Sequence, residues 1–564
     1  MKSVIKKLLF LFFLLTTVAV TNAQYPDITA SVKRSADSLL KAAQNHSDSA
    51  WAVAYPIVDS FARHGKPFIE WAGRPTDLPQ ANILAFPGAE GGGAYSYGGR
   101  GGKVYVVKSL ADNGPGTLRW ACEQGGPRII VFNVAGIIHL NTPIILRAPY
   151  ISIEGQTAPG DGVCVAGESF WINTHDVIIR FMRFRRGQTW VGRRDDALGG
   201  NPVGNIIIDH VSASWGLDEN MSIYRHMFNP QDGSKDEKHG TVNVTIQNSI
   251  SSESLDYWNH AFGSTMGGEN CMLTRNLWAD NTGRNPSIGW NGVFNFVNNV
   301  VFNWHHRSTD GGDYTALYNI INNYYKPGPV TDVNDRIGHR ILKPESGRSK
   351  LPYKVFGRAY VQGNIMYGND SVTKDNWDDG VQIAGINDDV MPLDSAIRYF
   401  QYMKSDDPFP MAHVTLLSAQ EGFNYVLKNV GATLPHRDAV DNRVIEQVRT
   451  GKITYKEMET DTDFQFKVRK LPKDSYKLGI ITNINQVGGY PNYSGTPYKD
   501  SDSDGIPDSY EKSHGLNSNN ASDASAYAKD GSGYTNIEVY LNSIVPVDIV
   551  RPSSGTAIGR EMRP

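Results

Sequence analysis

Cysteine is scarce in this chain. Only three of the 564 residues are cysteine, namely Cys122, Cys164 and Cys271. Such a small, odd number excludes the disulfide framework of a small secreted scaffold, and we interpret the three as buried small side chains. The fold must therefore be stable through packing and hydrogen bonds alone.

The chain also lacks an excess of charge of either sign. Its 55 Lys and Arg residues nearly balance 58 Asp and Glu residues, for a formal net charge of -3. That balance excludes a globally basic nucleic-acid binder, but it permits a local basic groove that faces an acidic polymer. A hydrophobic content of 40% and a charged content of 20% indicate a folded, soluble protein.

The first 23 residues form the only conspicuous apolar stretch. Lys2, Lys6 and Lys7 precede an apolar core from Leu8 to Leu15, and the segment ends in Thr21-Asn22-Ala23. This order predicts a secretory signal peptide that is cleaved after Ala23, and the core is too short for a membrane anchor. We expect a secreted protein, periplasmic or extracellular, that spans no membrane and acts as a monomer.

Gly-rich turns and short β-branched runs begin at Ala85, and from Ile151 strand-like runs recur mostly 20–40 residues apart with no helical pattern between them. Such units are too short to bury a core alone, so they must stack on one another. The pattern predicts an all-β fold, a right-handed parallel β-helix, with a helical N-terminal cap and a helical C-terminal elaboration. Five asparagines recur within these runs and are expected to form a hydrogen-bonded ladder at one bend: Asn248, Asn276, Asn299, Asn323 and Asn364.

Changes in composition divide the chain into segments. We predict a signal peptide (1–23), an N-terminal helical segment (24–80), the β-helix (81–415), the helical C-terminal elaboration (416–495), an EF-hand-like calcium-binding segment (496–545) and a tail (546–564).

The stretch from Arg193 to His226 concentrates charge. Asp196 and Asp218 lie 22 residues apart, about one coil of the predicted fold, so we expect their carboxylates on neighbouring coils about 5 Å apart. Carboxylates at that separation can share a hard cation, whose bonds to oxygen measure about 2.3–2.6 Å. Neutralisation by nearby arginines is the alternative. Arg194 and Trp215 are candidates for contact with a saccharide in a groove along the coils.

Four motifs carry a resemblance to a known family. They are Phe86 with the following AEGGGAYSYGGRGG, the GQTAPGDGV from Gly155 to Val163, the DAL at Asp196, and the IIIDH from Ile206 to His210. In this order and spacing they resemble polysaccharide lyase family 1, the pectate lyases, over about two-fifths of the chain. The resemblance implies a calcium-dependent enzyme that cleaves polygalacturonate, or pectin, by β-elimination.

The resemblance also implies roles for individual residues. Asp196 and Asp218 match two calcium aspartates, whereas a third acidic ligand of the family falls on Ser222, so we expect Glu219 to replace it. Arg284, in NLWADNTGRNP, matches the catalytic arginine. His260 matches a substrate-binding lysine, and Gly289 stands where the family often has a further arginine.

Three other functions stay open at this stage. A polygalacturonase-type hydrolase needs paired carboxylic acids, which Asp195 and Asp196 could imitate. A pectin lyase that acts on methylated chains would not need the calcium aspartates. The departures at Ser222 and Gly289 permit a β-helix that binds polysaccharide without cleaving it.

The acidic stretch DSDSDGIPDSYE near the C-terminus is a separate calcium motif. It fits a 12-residue EF-hand-type loop in which alternate carboxylates, a glycine at position 6 and a glutamate at position 12 surround Ca²⁺. The predicted ligands are Asp500, Asp502, Asp504, Ile506 through its carbonyl group, Asp508 and Glu511. This segment is expected to serve stability or attachment.

Overall fold

The computed structural model describes residues 30–189, 192–346, 351, 354–385, 390–458 and 470–560. The predicted signal peptide lies outside the described residues. Helices and strands are numbered in chain order.

Three parallel sheets form the body of the molecule. The first sheet contains β1 (Lys103–Val107), β2 (Arg128–Phe132), β5 (Ile151–Glu154), β8 (His175–Arg180), β11 (Gly204–Asp209), β15 (Val242–Gln247), β18 (Glu269–Thr274), β21 (Val293–Val297), β24 (Leu317–Ile321) and β27 (Arg358–Gln362), paired in that order. The second sheet contains β3 (Gly136–His139), β6 (Val163–Ala166), β9 (Arg183–Arg185), β12 (Ser212–Ser214), β16 (Ile250–Ser252), β19 (Leu277–Ala279), β22 (Val300–Phe302), β25 (Tyr324–Lys326) and β28 (Ile365–Met366).

The third sheet is shorter and has two parts. One part contains β4 (Ile144–Leu146), β7 (Phe170–Ile172) and β10 (Leu198–Gly200), and the other contains β17 (Thr265–Met266), β20 (Ser287–Ile288), β23 (Thr309–Gly311) and β26 (Leu342–Pro344). Single parallel bridges from Leu198 to Met221 and from Ile223 to Met266 connect the two parts. Each coil therefore visits the first, second and third sheets in turn, which confirms the predicted parallel β-helix.

Helices and two antiparallel strand pairs surround the coils. The helices are α1 (Ala30–Ala62), α2 (Leu118–Cys122), α3 (Asp370–Lys374), α4 (Leu393–Met403), α5 (Ala419–Asn429), α6 (Ala439–Thr450), α7 (Asp508–His514), α8 (Asn536–Ser543) and α9 (Val547–Val550). The antiparallel pairs are β13 (Arg225–Phe228) with β14 (Glu237–Gly240), and β29 (Val414–Leu416) with β30 (Thr556–Ile558). Among the residues described, no helix is both long and apolar enough to cross a bilayer.

Inward-facing side chains build a continuous core along the coil axis. Ile208 of β11 pairs in register with Ile179 on one side and Ile246 on the other, and Leu273 follows Ile246 on the next coil. These four side chains are fully buried. Because like residues stack on like, each coil completes the apolar packing of its neighbours, so we expect no single coil to be stable alone.

A ladder of asparagine side chains follows the bend before the second sheet. Asn276 Nδ2 donates to Asn299 Oδ1 at 3.0 Å, Asn299 to Asn323 at 3.1 Å, and Asn323 to Asn364 at 2.8 Å. The geometry confirms the predicted ladder for these four residues. It continues to Asn376, which accepts from Asn364 Nδ2 at 2.9 Å.

Asn248 is not part of the ladder, and its prediction is wrong by one residue. The ladder uses the residue directly before each second-sheet strand, and before β16 that residue is Ser249, whose N–H donates to Asn276 Oδ1 at 2.8 Å. Asn248 instead occupies the preceding left-handed position, with φ of 51°, and donates to Asp209 at 3.0 Å. Asparagine tolerates the left-handed conformation, so it is favoured both at this position and at the ladder position that follows.

We predict that Asn299→Ala lowers the free energy of unfolding by about 3 kcal/mol, because it leaves buried donors and acceptors on both neighbouring coils unpaired. The lost partners include the Leu273 carbonyl, which accepts from Asn299 Nδ2 at 3.0 Å, and the Asn276 N–H, which donates to Asn299 Oδ1 at 2.9 Å. Urea unfolding followed by far-ultraviolet circular dichroism measures the change. Asn334→Ala, at an exposed turn, is the control, and equal unfolding midpoints in the two variants would contradict the prediction.

Candidate active site

Charged side chains collect in the turns that connect the second sheet to the third. Asp196 lies two residues before β10, and Arg284 lies three residues before β20, two coils beyond Glu219. The main chain keeps these turns in register, since Ala197 N–H donates to Glu219 O at 3.2 Å, and bridges join Glu219 to Phe262 and Phe262 to Gly283. We call this line of turns the site column.

Three carboxylates meet at the head of the site column. One oxygen each from Asp196, Asp218 and Glu219 lie within 4.8 Å of one another. Asp196 and the Asp218-Glu219 pair stand on successive coils, as the spacing of 22 residues predicts. Two oxygens bound to one calcium ion lie at most about 5 Å apart, so the number, chemistry and separation of these donors fit a hard divalent cation.

The electrostatics of Asp196 reflect this crowding. Burial, together with the neighbouring carboxylates of Glu219 and Asp218, raises the pKa of Asp196 well above its usual range. Its Oδ1 accepts a hydrogen bond from Glu219 N–H at 3.1 Å. A cation shared by the three groups would remove this repulsion.

Asp218 is held in its charged form by three basic side chains. Although burial raises its pKa, the contacts with His260 and the charges of Arg194 and Arg284 outweigh that effect and lower the pKa below its usual range. Arg194 Nε lies 3.0 Å from Asp218 Oδ2, and His260 Nδ1 contacts Asp218 Oδ1. Arg194, a predicted saccharide contact, therefore lies within the column.

Arg284 is ion-paired to Glu219 across two coils. Its Nη1 contacts Glu219 Oε1, and its guanidinium lies 4.5 Å from the centre of the Phe262 ring. Burial lowers the pKa of Arg284, but Glu219 and Asp218 more than offset this and raise the pKa above its usual range. In this arrangement Arg284 is fully charged and is aimed at the carboxylates.

Ser222 and Thr265 hold Glu219 in place. Ser222 Oγ donates to Glu219 Oε2 at 3.0 Å, and Thr265 Oγ1 donates to Glu219 Oε1 at 2.6 Å. The serine that stands where a third acidic ligand was expected therefore orients Glu219. Glu219 itself meets Asp196 and Asp218, as expected for a replacement ligand.

The structure corrects the prediction that Trp215 contacts a saccharide. Trp215 is 0% exposed, its Nε1 donates to Glu253 Oε2 at 3.1 Å, and its ring packs against Tyr490. The predicted substrate contact His260 is likewise buried, behind Asp218 and against the Phe262 ring. Both side chains therefore lie beneath the charged groups of the site column, where they pack against neighbouring residues.

Sequence reasoning missed a cavity beside Arg284. Its volume is about 580 Å³, and its lining also includes Tyr224, Lys238, Trp290 and Asp313. Lys238 Nζ lies 4.1 Å from the centre of the Trp290 ring, and the Tyr224 ring meets Trp290 edge-on. Lys238 belongs to the hairpin of β13 and β14, which interrupts the repeat. The sequence indicates this hairpin insertion only through the longer interval between the turn residues Glu219 and Phe262.

Basic side chains continue along the site column past Arg284. A second cavity, of about 420 Å³, is lined by the basic residues Arg307, Arg336, Arg340 and Lys343 together with the acidic residues Asp335 and Glu345. Arg307 lies two residues before β23 and Arg340 two residues before β26. The column therefore runs from a carboxylate cluster to a basic stretch over successive coils.

The acidic C-terminal loop lies elsewhere, against the outer side of the first sheet. Ile506 packs there with Ile129 and Val131 of β2. The carboxylates of Asp500, Asp502 and Asp504 come within 4.8 Å of one another. Asp508, a predicted ligand, instead accepts from Ser501 N–H at 2.8 Å and contacts Lys499 Nζ at 2.7 Å.

Comparison with known proteins gives a consistent set of relatives. A protein named "Probable pectate lyase C" from Aspergillus flavus is 35% identical over 470 residues, which cover 82% of this chain and 94% of the relative. The protein of the same name from Aspergillus fumigatus is 36% identical over 474 residues, with the same coverage. The crystal structure of jun a 1, the major allergen from cedar pollen, aligns with 57% of this chain and 93% of its own at 16% identity and a TM-score of 0.38. No family model matches the chain.

Proposed function

The chain belongs to the pectate lyases, which are polysaccharide lyases, and we propose that it is a secreted, calcium-dependent enzyme that cleaves α-1,4-polygalacturonate by β-elimination. The observation that carries this proposal is the meeting of Arg284 with Asp196, Asp218 and Glu219 in one site column. Secretion is inferred from the sequence of residues 1–23, and action as a monomer stays a prediction.

The substrate chemistry explains why such a site is needed. In a galacturonate unit the C5 proton is α to a carboxylate and only weakly acidic. Elimination breaks the C5–H bond and the bond from C4 to the bridging oxygen, and the electron pair of C5–H becomes the new C4–C5 double bond. The bridging oxygen leaves with a proton, so one product carries a 4,5-unsaturated end. The site must stabilise negative charge next to C5.

Asp196, Asp218 and Glu219 would hold the calcium ion. When bound, the ion supplies positive charge to the substrate carboxylate and so stabilises the enolate-like charge that develops beside C5. The residues fit this role because three carboxylates converge at the separation that one ion requires. Ser222 and Thr265 keep Glu219 directed at the other two.

Arg284 competes with a cation for Glu219. Glu219 raises the pKa of the guanidinium in the ion pair, so engagement of that carboxylate by a cation would free Arg284 for the substrate and bring the pKa of its guanidinium back down. The freed guanidinium would stabilise the negative charge that develops beside C5. It could take up the C5 proton only in its deprotonated form, which neighbouring cations favour. The guanidinium of Arg284 also lies over the Phe262 ring, which gives it a favourable cation–π contact in this position.

The remaining cavity walls suit an anionic sugar chain. Trp290 and Tyr224 offer aromatic faces for a sugar ring, and Lys238 adds positive charge between them. Arg307, whose side chain is partly exposed, lies on the following coil. We propose that successive carboxylates of the polymer follow this line.

This lyase is favoured over the alternatives. A polygalacturonase-type hydrolase has no use for an arginine paired with the carboxylates, and Asp195 is buried in ion pairs with Arg186 and Arg193. A pectin lyase acting on methylated chains would not need three converging carboxylates. A non-catalytic binding protein would not need Arg284 beside them.

We predict that Arg284→Lys reduces the rate of unsaturated-end formation by about 100-fold or more, because an ammonium cannot reproduce the planar guanidinium beside the reacting carbon. The measurement is the ultraviolet absorbance of unsaturated ends released from polygalacturonate with calcium. Arg449→Lys, on an exposed helix surface, is the matched control. Full turnover by Arg284→Lys would remove Arg284 from the mechanism.

We predict that Glu219→Gln raises the calcium concentration needed for half-maximal rate by about tenfold, because calcium affinity follows the charge of its ligands. The experiment measures initial rates across a calcium titration. Glu237→Gln, on the exposed strand β14, removes the same charge outside the site column. An unchanged calcium requirement in Glu219→Gln would show that Glu219 is not the third ligand.

A further inference from the structure

A second acidic cluster forms where the C-terminal loop meets a later turn. Oxygens of Asp504, Glu511 and Asp523 lie within 4.8 Å of one another, and Asp504 also belongs to the neighbouring group with Asp500 and Asp502. Asp523 follows Glu511 by twelve residues and lies outside the EF-hand-like loop. The fold therefore brings a carboxylate to this cluster that the loop motif does not contain.

The oxygens of this cluster are buried and lack donors. Glu511 is 0% exposed and Asp504 is 2% exposed. Both oxygens of Glu511, both of Asp502, Oδ2 of Asp504 and Oδ1 of Asp523 have no hydrogen-bond partner among the described residues. Burying so many unpaired carboxylate oxygens costs free energy of folding. A bound metal cation, rather than a lysine or arginine side chain, would offset that cost.

The other carboxylate oxygens of the loop have structural partners. Asp500 accepts from the N–H groups of Asp504 and Gly505 at 3.2 Å each, and Asp504 Oδ1 accepts from Ile506 N–H at 2.8 Å. Both oxygens of Asp508 are occupied by Ser501, the second also by Lys499. The carboxylate oxygens of the loop are therefore of two kinds, those with a hydrogen-bond donor and those without one. Both oxygens of Asp508 have a donor.

We propose that Asp504, Glu511 and Asp523, joined by Asp502 from the adjoining group that shares Asp504, bind a divalent cation, with calcium the fitting ion, and that this ion fastens the C-terminal segment to the first coils of the β-helix. The all-oxygen donor set is that of a hard cation. The ligand set differs from an EF-hand because Asp523 joins it and Asp508 leaves it.

The position of the cluster explains the clamping role. Glu511 lies on α7, and Ala524, Ile537 and Leu541 pack with Ile506 against Ile129 and Val131 of β2. Gly505, at φ of 87°, lies so close to β2 that a Cβ there would come within 2.5 Å of Val131 Cγ2. The loop, α7 and the turn at Asp523 all meet at the proposed ion, so the ion ties together the parts that cover this face of the first sheet.

Hydrogen exchange of the full chain, read by mass spectrometry, tests the proposal with calcium alone as the probe. In the wild type we expect calcium at a hundred times its Kd to slow exchange in peptides from residues 497–545 by up to about 100-fold. Glu511→Gln and Asp523→Asn should lose this effect. Asp508→Asn, which removes the same charge from the same loop, should retain it.

These outcomes separate the proposal from its competitors. The peptides of the site column are distinct from those of residues 497–545, so slower exchange with calcium in the site column alone does not support the proposal. If calcium leaves exchange in residues 497–545 unchanged in the wild type, the proposal is wrong. If Asp508→Asn abolishes the effect and Asp523→Asn preserves it, the EF-hand ligand set is correct and the one proposed here is not. Because neutralising one carboxylate relieves repulsion, each variant is expected to fold, and slow exchange in the core strands verifies this.

Discussion

Everything in this protein depends on the register in which one coil stacks on the next. The three sheets are parallel, so a residue's neighbours in space are its counterparts one coil before and after. Apolar side chains stack inside, asparagine side chains stack at one bend, and charged side chains stack in the turns before the third sheet. A slip by one residue would turn inward groups outward. The asparagine ladder opposes such a slip because it pairs each coil at one position only.

The site column uses the same register for chemistry. Asp196, Glu219 and Arg284 come from three different coils, and none is close to the others in sequence. Stacking concentrates negative charge at one place, and the cost is visible in the raised pKa of Asp196. Arginines from neighbouring turns offset part of that cost. The carboxylates of the site column are therefore paired in part with arginines and crowded in part against one another.

Several features could be predicted because they repeat. The recurrence of short strands indicated the β-helix, and the spacing of Asp196 and Asp218 placed them on adjacent coils. Asn248 was misplaced by one residue because two adjacent positions of the bend both accept asparagine. The positions of Lys238 and Asp523 could not be predicted, since a hairpin insertion and a distant turn bring these residues in without any repeat. Trp215 was misjudged because sequence spacing does not tell which side of an irregular turn faces the interior.

The C-terminal loop shows the same limit. Its motif contains Asp502, Asp504 and Glu511, of which Asp504 and Glu511 meet in one group and Asp502 belongs to the adjoining group that shares Asp504. Side-chain pairing decides which of these carboxylates remain without donors. Lys499 and Ser501 occupy Asp508, and the chain supplies Asp523 from a later turn. A linear motif describes the loop alone, whereas the cluster depends on how the loop packs on β2.

The central claim is that one cation held by Asp196, Asp218 and Glu219 displaces Arg284 from Glu219. Anomalous diffraction from crystals grown with calcium, and compared with crystals grown with chelator, tests it most directly. The account predicts an anomalous peak among the three carboxylates, together with a guanidinium that has moved away from Glu219 toward the cavity of Trp290. A structure at saturating calcium with no peak there, and with the Arg284–Glu219 ion pair intact, would contradict it.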